Sequence, residues 1–310
     1  MTSAIQFDHV ARHFGGRAVL TDLSLQVRAG EAFALLGRNG TGKSTALRIL
    51  LGFLEPHGGS SSILGADSRS IPPATRDRVG YVCEGVAHFE TMPLARILDY
   101  ETATRPRFDR ELALRTLARH ALNTRVPLRK LSRGQRALVA LALATAGRPE
   151  VLVYDDPAMG LDVVHRHELM QSLADSLAEQ GLALLFSSHI LADVERMADR
   201  VGILADGRLV VDARLDDLRR RVQRRAFRPK EGARRNGTLQ QHVPSILSSR
   251  ATAGGFALTL VDCDAEQERR LRGESEILGD PEPLNLEELF VEFTARDVPS
   301  VRTATEASRS

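Results

Sequence analysis

Nine consecutive residues carry the first clear chemistry in this chain: Gly37-Arg38-Asn39-Gly40-Thr41-Gly42-Lys43-Ser44-Thr45, which follow the apolar stretch Phe33-Ala34-Leu35-Leu36. The spacing fits G-x-x-x-x-G-K-[ST], a loop that cradles nucleotide phosphates when it joins a strand to a helix. Its three glycines let backbone amides wrap an anion, where a Cβ would block either a left-handed turn or the ligand. Lys43 is then placed to meet the outer phosphates and Ser44 to give its hydroxyl to Mg²⁺, while the positive end of the following helix faces the same charges. A glycine-rich turn with a chance Lys-Ser would need no flanking pattern. Here Ala46, Leu47, Ile49, Leu50 and Phe53 continue as an apolar helical face.

The second chemical pair is Asp155-Asp156, delivered by the apolar run Val151-Leu152-Val153-Tyr154. A phosphate loop needs a carboxylate to complete the Mg²⁺ shell, and Asp155 stands where that ligand belongs. Asp156 is then the general base or the group that orients attacking water. By themselves the two aspartates would read equally well as solvated caps of a turn before Pro157.

These residues need a sheet to hold them. Short β-type runs at Phe33 onward, Val79 to Val82, Val151 to Tyr154, Ala183 to Ser187 and Val201 to Leu204 alternate with helical segments, which predicts a mainly parallel α/β sheet. Ile5 to Val10 and Leu23 to Val27, around Phe14-Gly15-Gly16-Arg17, predict a small antiparallel layer before it. Between Thr91 and Ala146 the pattern is helical, with Leu112, Leu114, Leu117 and Leu122 at the apolar positions. Leu169, Leu173 and Leu177 line a helix that Gly181 closes, and Asp206-Gly207 reads as a hairpin turn ending the core.

With 310 residues, the chain has room for an ordinary domain plus an appendage. The two cysteines, Cys83 and Cys263, lie far apart without metal-ligand spacing, which argues for a reducing compartment, with the cytoplasm as the expected location. No run reaches the roughly 18 apolar residues of a membrane span; the longest, Ala137 to Gly147, is too short. Net charge is +2, yet Asp216 to Arg235 holds nine Lys or Arg against three acidic residues. That basic stretch reads as a solvated linker or as a contact for anionic lipid headgroups.

Leu131-Ser132-Arg133-Gly134-Gln135 resembles the LSGGQ signature of ATP-binding cassette (ABC) ATPases, and its place between the phosphate loop and Asp155 makes the match specific. The resemblance covers roughly residues 4 to 213. It implies a P-loop NTPase (RecA-like) α/β core with an N-terminal antiparallel β layer and a helical insertion at about 85–146, plus a small C-terminal α/β appendage. It further implies that Phe14 stacks on adenine, that His189 is the switch histidine on the γ-phosphate, and that Asp162 of Gly160-Leu161-Asp162 lies at a dimer interface. Glu84 takes the Q-loop position and would help hold Mg²⁺. Ser132, Arg133, Gly134 and Gln135 would act on the ATP held by a second cassette, with a homodimer expected.

Three residues depart from the family pattern. Glu84 stands where many members have Gln, and exporter-type relatives resemble this chain at that position. Arg133 replaces the first signature glycine and leaves Ser132, Gly134 and Gln135 in place. Asp156 replaces the usual Glu, one methylene shorter, and a misplacement of about 1 Å at a reacting group can lower rates about a hundredfold. Turnover is therefore expected to be slow.

The C-terminal third adds Leu284 to Thr294, which resembles the closing helix of exporter-type cassettes, with Leu286, Leu289, Phe290 and Phe293 on one face. The expected organisation is an ATP-binding domain at 1–213, a basic linker at 214–240, a small accessory domain at 241–298 and a disordered tail at 299–310. Together these readings imply the ATP-hydrolysing, Mg²⁺-dependent subunit of an ABC-2-like exporter, peripheral on the inner face of the cell membrane. Its partner is a separately encoded membrane permease, touched around Glu84 to Arg96 and the helical insertion. A weakly or non-hydrolysing ATP-binding regulatory cassette and a soluble cassette ATPase acting on nucleic acid are the alternatives, and no nucleic-acid partner is expected from the leading reading.

Overall fold

A computed structural model of the chain describes residues 3–83, 89–156, 161–230, 243, 245–252, 254–295 and 301–302. The strand before the phosphate loop, Ala32–Gly37 (β3), is buried at all six positions, as a strand covered on both faces must be. The N-terminal pair Ser3–Phe14 (β1) and Arg17–Arg28 (β2) is antiparallel and extends at both ends beyond its apolar centre. Gly58–Ile63 (β4) and Ala66–Asp67 (β5) complete that layer. The remaining strands are Val79–Cys83 (β6), Val151–Asp155 (β7), Ala183–Ser187 (β8), Arg200–Ala205 (β9) and Arg208–Arg214 (β10).

Among the described residues these strands form one sheet in the order β5-β4-β1-β2-β10-β9-β3-β8-β7-β6. Pairing from β9 through β3, β8 and β7 to β6 is parallel, so the C-terminal ends of β3, β7 and β8 meet at one edge. That edge is where ligands bind in open α/β sheets. Asp206 (φ 46°) and Gly207 (φ 76°) turn the β9–β10 hairpin, as their sequence predicts.

Two apolar layers cover the sheet. One packs the antiparallel strands and the helix Lys43–Leu50 (α1) against Phe33, Leu35, Val151 and Val153. The other holds the helices Leu94–Thr104 (α3), Arg110–Arg119 (α4), Arg133–Ala146 (α5) and Val163–Gln180 (α6), while the short helix Pro73–Arg76 (α2) buries no residue. Leu112, Leu117 and Leu122 are buried there, and Leu169 and Leu173 are fully buried on α6, which ends at Gly181 with φ 61°.

The region after Arg214 differs from its expected organisation. The described part of the segment read as a linker is a helix, Leu215–Arg221 (α8, following Leu191–Met197, α7), and then a strand, Val222–Pro229 (β11); residues 231–240 lie outside the described residues. Strand β11 lies inside a second sheet with Ile246–Thr252 (β12), Gly255–Val261 (β13) and Ser275–Pro283 (β14), in the order β12-β13-β11-β14. Carboxylates meet the arginines of this strand and of the end of α8, with Arg224 and Arg225 largely withdrawn from solvent and Arg228 exposed. Arg221 pairs with Asp262, Arg224 with Glu288, Arg225 with Glu268 and Arg228 with Glu276. Phe227, Phe256, Leu258, Leu260 and Leu271 form its own small core, closed by the helix Ala265–Glu274 (α9).

The last helix, Leu286–Thr294 (α10), belongs to the large core instead. Leu286, Leu289 and Phe293 are fully buried with Val194 and Ile203. Val301–Arg302 (β15), expected in a disordered tail, pairs in parallel with Val211 and Asp212 of β10.

Candidate nucleotide site

The phosphate loop runs from the end of β3 into α1. Gly42, the residue before α1, has φ 109°, and a Cβ there would lie 2.7 Å from Leu20 Cδ2 and 3.0 Å from the Val19 carbonyl. The strand β2 thus presses on the loop from the side, and only glycine fits. Thr41 closes the turn by donating its hydroxyl and its amide to the Arg38 carbonyl at 2.8 and 3.3 Å. Arg38, Asn39 and Gly40 form the exposed outer part of the loop. Lys43 Nζ donates to the carbonyls of Gly37 at 2.7 Å and Arg38 at 3.2 Å. Burial lowers its pKa, while Asp156 and Asp155 pull the other way. Thr45 follows on the first turn of α1.

Sequence reasoning brings Ser44 and Asp155 together, and they meet: Ser44 Oγ donates to Asp155 Oδ1 at 3.1 Å. A residue the sequence left without a role joins them. Ser187, at the end of β8 and 1 % exposed, donates to the same oxygen at 2.8 Å. A serine hydroxyl and a carboxylate at one point are hard oxygen donors suited to magnesium. Among the described residues there is no cluster of three His, Cys, Asp or Glu side chains fit for a metal, so a cation here would take its other ligands from phosphate and water, as magnesium commonly does. Glu84, the third expected ligand, lies outside the described residues, as does Gly160 before Asp162.

Asp156 has a left-handed backbone, φ 44°, a region that Asp enters more readily than most side chains. Its Oδ2 lies 2.6 Å from His189 Nδ1. Burial raises the Asp156 pKa and the His189 hydrogen bond opposes it. A partly desolvated carboxylate held by an imidazole is the chemistry of a proton acceptor that orients water.

The signature segment starts α5. Ser132 accepts from Gln135 N at 3.1 Å while Gln135 Oε1 accepts from Ser132 N at 3.0 Å, a capping box. The box satisfies the amides of Ser132 and Gln135, and the positive end of the helix dipole still lies at Ser132 and Arg133. Gly134 is pinned from behind, since a Cβ on it would lie 2.5 Å from His165 Cγ. His165 Nδ1 in turn lies 2.7 Å from Asp162 Oδ2, and Asp162 Oδ1 caps α6 through the amides of Val164 and His165. The imidazole therefore joins two expected motifs, a tertiary contact that no local pattern reveals. Phe14, at the end of β1, is 45 % exposed, with the Arg12 guanidinium stacked 4.8 Å from its ring centroid.

A groove of about 710 Å³ opens between the sheet edge at Tyr81 and Cys83 and the helices α3 and α5. Arg133 and Arg136 line it together with Phe89 and Glu90, so the signature segment has one side on this groove. Among the described residues no helix is long and apolar enough to cross a membrane.

Parallel sheet, phosphate loop and the two aspartate contacts define a P-loop ATPase cassette. The family model for ABC transporters matches residues 20–159. The ABC transporter ATP-binding protein YtrB of Bacillus subtilis (strain 168) is 30 % identical over 291 residues, spanning 93 % of this chain and 97 % of that protein. Nod factor export ATP-binding protein I of Rhizobium johnstonii is 31 % identical over 310 residues, spanning 95 % and 96 %. A solved ATP-binding subunit of an ABC transporter superposes with a TM-score of 0.62 at 29 % identity, over 71 % of this chain and 92 % of that one. The chain belongs to the ABC transporter ATP-binding proteins, a family of ATP-binding and ATP-hydrolysing subunits.

Proposed function

We propose that this chain hydrolyses ATP to drive export through a separately encoded membrane permease, working as a pair of identical cassettes on the inner face of the membrane. The observation that carries this reading is the double contact at the sheet edge, Ser44 with Asp155 and Asp156 with His189. Amides of the loop from Gly37 to Thr45 wrap the phosphates, and Lys43 neutralises them as a point charge. Ser44 and Asp155, with Glu84, hold Mg²⁺, which supplies charge neutralisation at the phosphates when bound. Asp156 accepts a proton from the attacking water, and His189 holds Asp156 in line and contacts the γ-phosphate. Phe14 stacks on adenine with Arg12 behind it.

Ser132, Arg133, Gly134 and Gln135 act on the partner cassette's ATP, and Asp162 lies between the two. The groove beside Tyr81 and Arg136 receives the permease. Export is supported by the Nod factor export relative, which aligns over nearly the whole chain, and by the closing helix. Pairing of the basic strand with carboxylates leaves little to favour a nucleic-acid partner.

Turnover is slow, because Asp156 is one methylene short of Glu. The left-handed backbone at Asp156 supports a compensating shift of the chain. Co-purification of the full-length chain with an integral membrane protein, together with Mg-ATPase turnover that depends on Asp156, tests the reading. A turnover unchanged by Asp156→Asn, or a chain that recovers no membrane partner, overturns it.

A further inference from the structure

The helix that follows the switch histidine is tethered on opposite sides. Helix α7 begins two residues after His189, and the turn between them is stiff: Ser188 Oγ accepts from Ile190 N at 3.0 Å, and Asp193 N donates to Ile190 O at 3.2 Å. On its inner side, Asp193 is buried and lies 3.6 Å from Arg166 Nε of α6. On its other side, Glu195 reaches the C-terminal region. Its Oε1 accepts from the amide of Leu286 at 3.2 Å and from Arg219 Nη2 at 2.7 Å.

Leu286 N is one of the amides that a helix leaves unpaired at its start. Asn285 already caps Glu288 N, so Glu195 supplies a second acceptor from a different part of the chain, and its negative charge suits the positive end of α10. Arg219 sits on α8, directly before the central strand of the second sheet. One carboxylate oxygen therefore holds the entry to that sheet and the start of the closing helix against the helix that carries on from His189.

We propose that Glu195 is a positioning residue, through which the C-terminal accessory region sets the place of His189 during hydrolysis. The inference rests on the reading that His189 acts in hydrolysis. A seven-residue helix is only about 10 Å long and moves as a unit. Losing the anchor at Glu195 shifts the far end where His189 enters the site, and small shifts at reacting groups lower rates steeply. Nucleotide binding, set by the loop at 37–45, is untouched. The accessory region thus feeds into the chemical step.

The experiment measures kcat and ATP dissociation constants on the full-length chain, at concentrations where turnover per chain has reached its plateau. Glu195→Ala is expected to lower kcat about tenfold while the ATP dissociation constant stays within about twofold. Glu195→Gln keeps an oxygen for Leu286 N and is expected to lose about threefold or less. In a His189→Ala background, followed over hours to read residual turnover, Glu195→Ala is expected to add nothing further. The proposal is overturned if Glu195→Ala leaves kcat unchanged, or if its effect multiplies in full on top of His189→Ala. If His189→Ala alone leaves kcat unchanged, the reading of His189 fails first and takes the proposal with it. Should Glu195→Ala fold poorly, Arg219→Met, which removes only the ion pair, serves in the same cycle.

Discussion

His189 and Asp156 meet at 2.6 Å across the ends of two neighbouring strands, so the group proposed to take a proton is aligned by the group proposed to contact the γ-phosphate. General-base catalysis of this kind is worth about 10²–10⁴-fold. Asp156→Asn is therefore expected to lower Mg-ATPase kcat by at least about a hundredfold, with ATP affinity little changed. Thermal melting should show Tm held or raised, since burial penalises the charged carboxylate that the variant removes. A variant that hydrolyses ATP at the parent rate refutes the role.

Ser187 shares an oxygen of Asp155 with Ser44. Residues that orient a metal ligand from behind commonly change metal affinity by about 10–100-fold. For Ser187→Ala, the Mg²⁺ concentration that half-saturates turnover is expected to rise about tenfold, with a stability cost of about 1 kcal/mol. Titrating Mg²⁺ at saturating ATP checks this, and an unshifted midpoint counts against a role for Ser187 in the metal site.

The contact between Gly134 and His165 leaves no room for a methyl group. Gly134→Ala is expected to destabilise the chain by about 1–3 kcal/mol through overpacking. In a His165→Ala background the same change should cost less than about 0.5 kcal/mol, or stabilise, because Ala is the better helix former. Urea unfolding of the four chains measures the difference.

Asp109 caps α4 through Leu112 N at 2.9 Å and accepts from Arg148 Nη2 at 2.7 Å. These two bonds hold its carboxyl below the usual range, the Leu112 amide most. A depressed folded pKa means stability that is present above the unfolded value of about 3.9 and lost as pH falls through the folded value. Asp109→Ala should cost about 1 kcal/mol at neutral pH, and the gap in Tm between parent and variant should close below about pH 4. A gap that stays constant with pH would show that the charge of Asp109 contributes nothing.

The sequence was most legible where one short segment holds its own evidence. An apolar run followed by Gly37 to Thr45, or by Asp155, announces both strand and site. Ser187 and His165 were not legible as site residues, because each acts through a contact with a residue far away in the chain. Strand β4 was missed because Gly58-Gly59-Ser60-Ser61-Ser62 carries almost no hydrophobic pattern, and its place at Ile5 to Asp8 comes from pairing with β1. Strand β11 was read as a linker for the opposite reason. Its arginines announce solvent, while the carboxylates that pair with them come from Glu268, Glu276 and Glu288, all later in the chain.

That order matters when the chain is made. The large sheet has nearly all its strands once Arg214 has emerged, and a chain that folds during synthesis completes its N-terminal unit first. Strand β11 emerges next, yet it is an inner strand of its sheet and has both edges open until β13 and then β14 are synthesised. An open-edged strand invites pairing with other chains, and charged side chains guard against it. Arg224, Arg225 and Arg228 serve the newborn strand as such guards, repelling its copies on neighbouring nascent chains until the acidic residues arrive to take them in.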